Sequence, residues 1–243
     1  MKTKLHPDAQ EKNADRVEYW NRWAKRYSDP FESVHRAKNP DQIPVIVEDI
    51  RRKLALNSED EMLDLGCGSA QLAQALLPHV KSVEAVDASH EMLHIAKQHT
   101  QGIRLHQAKC TAVPFPDHHF DKVLCYGVLP YCGESPEKVF REIRRVARPG
   151  GRVLVGDLPD RRYKHLFFYE IAKRGFSLLL QPWKLPEKFR MADDMKIDIA
   201  WFDMGQLSAL AEKMGWNTQI LKQPENQQYG WKSYTHRFDL ILY

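Results

Sequence analysis

A three-layer α/β/α sandwich on a mostly parallel sheet is the fold class that the sequence predicts, and three observations predict it. Between residues 60 and 157, short apolar runs alternate with amphipathic helices, the rhythm of a parallel sheet covered on both faces. The first apolar run passes through Gly66-Cys67-Gly68 straight into a helix, a turn that brings backbone close to a ligand. The 243 residues suffice for one such domain with a sizeable core and one elaboration.

Each element has its own signal. Val17, Trp20, Ala24 and Tyr27 recur at three- and four-residue spacing with Trp23 beside them, which predicts a helix over 13–27 with one apolar face. Ser28-Asp29-Pro30 ends it, because proline disfavours helix at the residue before it. A second helix is expected from near Asn39-Pro40 through Ile46, Ile50 and Leu54. Met62-Leu63-Asp64-Leu65 reads as the first strand, followed by glycines and a helix over 71–77. A second strand over 83–87 leads into Ser89, an N-cap residue, and a helix carrying Met92, Leu93 and Ala96. Strands over 103–106, 120–125 and 152–156 follow.

Between the last two lies the clearest helix. Ser135 caps it, Pro136 suits its first position, and Val139, Phe140, Ile143, Val146 and Ala147 form its buried face until Pro149-Gly150-Gly151 stops it. The rhythm then breaks into a stretch rich in aromatic and basic residues. It resumes at Asp203 and Gln206, whose spacing suits a capping box for a helix over 207–214. Strands near 216–221 and 237–243 close the sheet. The loop around 224–230 is long enough for a hairpin, so this pair is expected to be antiparallel, making seven strands in all.

Composition narrows the function classes. Hydrophobic residues at 43% and charged residues at 28% suit a soluble globular protein. A net charge of +4 lacks the steep basic imbalance of a dedicated nucleic-acid binder. Cys67, Cys110, Cys125 and Cys132 show no CxxC or Cys/His spacing, so free thiols are expected and no metal. No signal-peptide core and no run of membrane-spanning length are present in the sequence, and the expectation is a cytoplasmic protein.

The ligand of the glycine loop turns on its neighbours. A dinucleotide fingerprint would have a third glycine at Gln71, and a P-loop would need Gly-Lys-Ser/Thr, which is absent. Asp64, two residues before Gly66, would repel a phosphate and could hold an ammonium group. Asp87 closes the second strand 23 residues later, where an acid can accept both hydroxyls of a ribose.

Leu63-Asp64-Leu65-Gly66-Cys67-Gly68 and Val86-Asp87-Ala88-Ser89 with Met92-Leu93 resemble the first two motifs of class I S-adenosylmethionine-dependent methyltransferases. Val113-Pro114-Phe115-Pro116-Asp117, Phe120-Asp121 and Arg145–Gly151 resemble the later ones, so the likeness covers residues 60–157. It implies a Rossmann-like sandwich whose seven-stranded sheet carries an antiparallel strand at its C-terminal end. It implies S-adenosylmethionine as cofactor and S-adenosylhomocysteine as product. Asp64, Gly66, Cys67 and Gly68 would surround the methionine part and Asp87 the ribose. Ala88 and Met92 would pack on the adenine, Lys109-Cys110-Thr111 would meet its edge, and Tyr126 would face the methionine end.

Two positions depart from the family pattern. The usual third glycine is Ala70, a mild change if its backbone is right-handed, and an adenine-binding acid is replaced by Lys109, which cannot accept a hydrogen bond. Residues 1–57 read as a helical lid whose helix ends in Arg26-Tyr27, and 58–243 as the methyltransferase domain with a substrate cover at about 160–202.

Methyl transfer needs alignment first and a base only for some acceptors. The candidates beyond the strand ends are Tyr131, Asp157, His165 and His236, whereas His118 and His119 read as solvated. The leading expectation is a small-molecule acceptor. The alternatives are an RNA methyltransferase, using Arg141, Arg144, Arg145, Arg148 and Arg152, and a non-catalytic module that keeps the fold, toward which Lys109 points.

Overall fold

A computed structural model describes residues 8–31, 43–166, 168–169, 173, 199–223 and 236–243. Most of the expected cover at 160–202, the loop around 224–230 and the helix start at Asn39-Pro40 lie outside the described residues.

The elements run α1 (Asp8–Arg26), α2 (Ile43–Leu54), β1 (Glu61–Leu65), α3 (Gln71–Leu76), β2 (Ser82–Asp87), α4 (His90–His99), β3 (Arg104–Gln107) and β4 (Phe120–Tyr126). Then come α5 (Pro136–Val146), β5 (Ala147–Pro159), α6 (Met204–Lys213), β6 (Thr218–Lys222) and β7 (Arg237–Leu242). The sheet has seven strands in the order β3-β2-β1-β4-β5-β7-β6. β1 to β5 are parallel, and β7 runs antiparallel to both β5 and β6.

Alternation along the strands sorts side chains onto two faces. Met62, Val83, Ala85, Leu124 and Leu154 meet Ile46, Ile50 and Leu54 of α2 and Leu72, Ala73 and Leu76 of α3. Their neighbours Leu63, Leu65, Val86, Val123 and Val153 meet Val139, Phe140, Ile143 and Val146 of α5 and Leu207 and Ala211 of α6. Helices therefore cover both faces, as the apolar runs require.

The predicted caps form. Ser89 Oγ accepts from Met92 N–H, Ser135 Oγ from Lys138 N–H, and Asp203 Oδ1 from Gln206 N–H. α5 ends earlier than its apolar stripe suggests. Ala147 is already extended and pairs with Phe120, and Arg148 reaches Asp121 and Glu61 at 2.6 Å each. Those strand and ion-pair contacts outweigh one more helical turn, so Pro149-Gly150-Gly151 bulges within the strand span instead of stopping a helix.

β2 and β4 flank β1, so the chain reverses its direction of travel across the sheet at β1. In open α/β sheets the crevice above that switch, at the carboxyl ends of the strands, is where ligands sit.

Candidate functional site

The β1–α3 turn is built from left-handed backbone at alternate residues: Gly66 at φ +79°, Gly68 at +56° and Ala70 at +57°. The N–H groups of Gly66 and Cys67 both donate to Val86 O, at 2.7 and 2.9 Å, which folds the turn onto the end of β2. A Cβ on Gly66 would lie 2.4 Å from Val128 Cγ2, so only glycine fits there.

The condition for a mild change at Ala70 is not met: the residue is left-handed, at φ 57° and ψ 25°. Ala70 must turn the loop into α3 within one residue, with its N–H on Cys67 O and its carbonyl receiving Gln74 N–H, both at 2.9 Å. Left-handed backbone costs a non-glycine residue about 1–2 kcal/mol. Ala70→Gly is therefore expected to be neutral to within about 0.5 kcal/mol, because relief of strain offsets the lost buried methyl and the added chain entropy. Denaturant unfolding checks this, and a loss above about 1.5 kcal/mol would show that the site is not strained.

Asp87 closes β2 against this turn. Its Oδ2 accepts Gly68 N–H and its Oδ1 accepts Ser89 N–H, each at 2.8 Å. Burial raises its pKa above the usual carboxylate range, and these N–H groups hold the rise back. Asp64 is buried at the end of β1. The Cys67 thiol lies near both acids: burial first, then the Asp87 and Asp64 carboxylates, push its pKa well up. Two carboxylates facing one turn favour hydroxyl and ammonium donors and repel phosphate, which fits the ribose diol and ammonium of S-adenosylmethionine.

The N-terminal helix docks over this corner. Trp23, Ala24 and Tyr27 pack with Met92 and Ile95 of α4, and the Tyr27 ring lies 4.4 Å from that of Trp23. Ser89 Oγ donates to Asn21 Oδ1 at 2.7 Å, and Ser69 Oγ donates to Pro30 O at 2.6 Å. Lys25 pairs with Glu91 at 3.1 Å, and Trp20 meets Tyr131 edge-on at 5.8 Å. Sequence reasoning missed Asn21 and Ser69. A polar residue at position 21, one step from Trp20 on the apolar face, was the only signal for the first.

Beside Asp87, Ala108 N–H donates to Asp87 O at 3.1 Å, and the chain turns so that Ala112 N–H meets Lys109 O at 3.0 Å. The Lys109 side chain is exposed, Ala88 and Thr111 are half-buried, and Cys110 is buried. A hydrogen bond to Cys132, then burial, raises the Cys110 pKa. All four cysteines are free thiols. Among the described residues no three His, Cys, Asp or Glu side chains gather as a metal-ligating group.

The candidates on the other side of the crevice separate. Tyr126 ends β4 with its hydroxyl accepting Gln223 Nε2 at 3.0 Å. Gln223 also donates to Asp239 Oδ1 at 2.9 Å, which draws Tyr126 into a buried polar network. Asp157 is buried in that network and pairs with Arg237 at 2.7 Å. Tyr131 lies under α1, whereas His236 stacks on Tyr163 at 3.6 Å beyond the end of β5, where burial lowers its pKa. His165 is exposed. Arg237 and Asp239 received no site role from the sequence, although charged residues two apart in an apolar strand mark one buried face.

The expectation that His119 is solvated is corrected, because its ring packs edge-on against Phe120 at 4.7 Å and stacks on Phe115. The five arginines proposed as a patch all have protein partners. Arg141 pairs with Glu137, Arg145 with Glu142 and Asp117, and Arg148 with Asp121 and Glu61. Arg144 lies over Trp216, and Arg152 donates to Lys53 O.

A glycine turn between two strand-end acids stands at the switch point of a 3-2-1-4-5-7-6 sheet, and residues 63–155, which carry that turn, match the family described as a methyltransferase domain. The chain is 32% identical over 105 residues to the uncharacterized methyltransferase YcgJ of Bacillus subtilis, covering 41% of each chain. It is 27% identical over 141 residues to a ubiquinone biosynthesis O-methyltransferase of Coxiella burnetii, covering 56% of this chain and 59% of that one. It thus spans less than two-thirds of either relative. Among solved structures, the complex of the Trm112 methyltransferase activator and a methyltransferase of Haloferax volcanii matches with TM-score 0.65 and 15% identity, over 93% of this chain and 96% of that chain. At that identity the likeness is one of fold. Among the described residues no helix is long and apolar enough to cross a membrane.

Proposed function

We propose that this chain transfers a methyl group from S-adenosylmethionine to a small-molecule acceptor in the cytoplasm. The observation that carries the reading is the Asp87 carboxylate, fixed by two backbone N–H groups over the glycine turn with lone pairs left for two ribose hydroxyls. Asp64 then holds the ammonium group, and the Gly66–Gly68 backbone accommodates the methionine part. Ala88 and the Cys110-Thr111 backbone flank the adenine, with Lys109 directed to solvent. α1 serves as the lid, since Tyr27 and Met92 pack together above the corner that Asp87 occupies.

S-adenosylmethionine supplies a methyl group on a sulfonium, whose bond to sulfur breaks as the acceptor's lone pair forms the new bond and S-adenosylhomocysteine leaves. The protein's share is to align the two and exclude water. The engaged arginines support a small acceptor over RNA, since a phosphate backbone would have to compete with Glu142, Asp117, Asp121 and Glu61 for them.

Calorimetry with S-adenosylhomocysteine is expected to show micromolar binding, and folded protein that binds none would overturn the assignment. Asp87→Ala is expected to weaken that affinity about 100-fold, the loss of two hydrogen bonds to a charged group. Unchanged affinity would remove Asp87 from the ribose site.

A further inference from the structure

Asp157 has a backbone that the rest of β5 does not share. Val155 pairs with Leu240 and Leu158 with Phe238, so β5 advances three residues while β7 advances two. The extra residue is a bulge, and within it Asp157 takes φ +61°. Two residues of β7 clamp it there. Asp239 Oδ1 accepts Asp157 N–H at 2.9 Å, and Arg237 Nη1 donates to Asp157 O at 2.8 Å and pairs with its Oδ2 at 2.7 Å. All three side chains are buried: Asp157 is 7% exposed, Arg237 5% and Asp239 0%.

The clamp leaves one oxygen of the Asp157 carboxylate over. Asp157 Oδ1 is buried and has no hydrogen-bond partner among the described residues. A carboxylate that served only to neutralise Arg237 would need neither a bulge nor left-handed backbone, and it would not leave an oxygen unpaired. Strain and orphaned polar atoms of this kind collect where a ligand completes the site.

The position identifies the ligand. Gly156 pairs with Tyr126 across the β4–β5 ladder, and the next residues, Gly127 and Asp157, face each other: a Cβ on Gly127 would lie 3.4 Å from Asp157 Oδ2. β4 is in turn the neighbour of β1, whose end carries the glycine turn. The carboxylate therefore stands across the switch point from Asp64 and Asp87, on the side away from the adenine segment.

We infer that Asp157 recognises the methyl acceptor, its Oδ1 receiving an O–H or N–H donor at the atom to be methylated. The acceptor is accordingly a hydroxyl or amine compound; a carboxylate acceptor would be repelled. Arg237 and Asp239 are positioning residues that hold the bulge. This inference rests on the methyl-transfer reading above.

The test uses sinefungin, an S-adenosylmethionine analogue with an amine where the sulfonium methyl stands, beside S-adenosylhomocysteine, which has nothing there. Calorimetry on the wild-type chain is expected to show sinefungin binding at least fivefold tighter. Asp157→Asn and Asp157→Gly, both suited to left-handed backbone, should bring the two ligands within twofold of each other while the affinity for S-adenosylhomocysteine changes less than twofold. If leaving Arg237 unpaired prevents folding, the double variant Asp157→Asn with Arg237→Gln removes both charges and carries the same expectation. A preference that survives in the variants, or is absent from the wild type, overturns the role of Asp157. A folded wild type that binds neither ligand overturns the methyl-transfer reading instead.

Discussion

Gly66→Ala is expected to cost about 2–5 kcal/mol of stability and at least tenfold in S-adenosylhomocysteine affinity, for two separable reasons. The first is local: at φ +79° any side chain meets its own backbone. The second is packing: the new Cβ would lie 2.4 and 2.8 Å from the two Cγ atoms of Val128, a buried β-branched side chain with few rotamers to escape into. If Val128 moves, the turn that follows it moves too, because Tyr131 and Cys132 N–H both donate to Val128 O at 2.9 Å and Tyr131 meets Trp20 of α1. The double variant Gly66→Ala with Val128→Ala separates the reasons. Removing both Cγ atoms should return the packing part of the loss and leave the backbone part. Thermal unfolding of the three proteins reads this directly, and a fully stable Gly66→Ala would mean that the turn is far softer than its contacts imply.

The fold was legible because its signals are local and periodic. α5 shows why: an N-cap serine, a proline at the first position and a stripe from Val139 to Val146 all act within one element, and each formed as expected. Alternation in β1, with Met62 and Leu63 on opposite faces, likewise needs only neighbours along the chain. The errors lie where distant contacts decide. α5 stops early because Arg148 finds Asp121 and Glu61, one of them 87 residues away in sequence. Ala70 is a local case: its left-handed backbone is set within the turn from Cys67 to Gln74, yet no pattern of residue types announces it.

The candidate site divides the same way. Asp64, Gly66, Gly68 and Asp87 follow strand ends, so counting along the sequence finds them. The clamp on Asp157 comes from β7, 80 residues on, and the contacts of the N-terminal segment pair Ser89 with Asn21 and Ser69 with Pro30 across 68 and 39 residues. A lone serine or asparagine has many uses, and sequence alone gives no way to choose among them.

Lys53→Met should destabilise the chain by about 3–5 kcal/mol at neutral pH, although it replaces a charged side chain with an apolar one of similar length. Lys53 is 8% exposed and bridges Asp49 of its own helix to Asp239 of β7, the latter at 2.6 Å. Without it, Asp239 keeps a fully buried charge with no cation on it. Burial already lifts the Asp239 pKa above the usual carboxylate value even with Lys53 pulling it down, so removing Lys53 lifts it further. A carboxyl whose folded pKa exceeds its unfolded one binds more protons when folded, and its contribution to stability falls as pH rises between the two. The variant's deficit should therefore shrink as pH is lowered through that raised pKa and the Asp239 carboxyl becomes neutral. Lys53→Met combined with Asp239→Asn should recover much of the loss at neutral pH, since no charge is then stranded at position 239 and Asp49 keeps Arg52 at 3.3 Å. The consequence for the site follows from Asp239 Oδ1, which holds the Asp157 N–H and, through Gln223, the Tyr126 hydroxyl. Denaturant titrations of both variants across pH 5 to 8 decide the matter, and a Lys53→Met protein as stable as wild type at pH 7 would show that the buried charges are not linked as the structure places them.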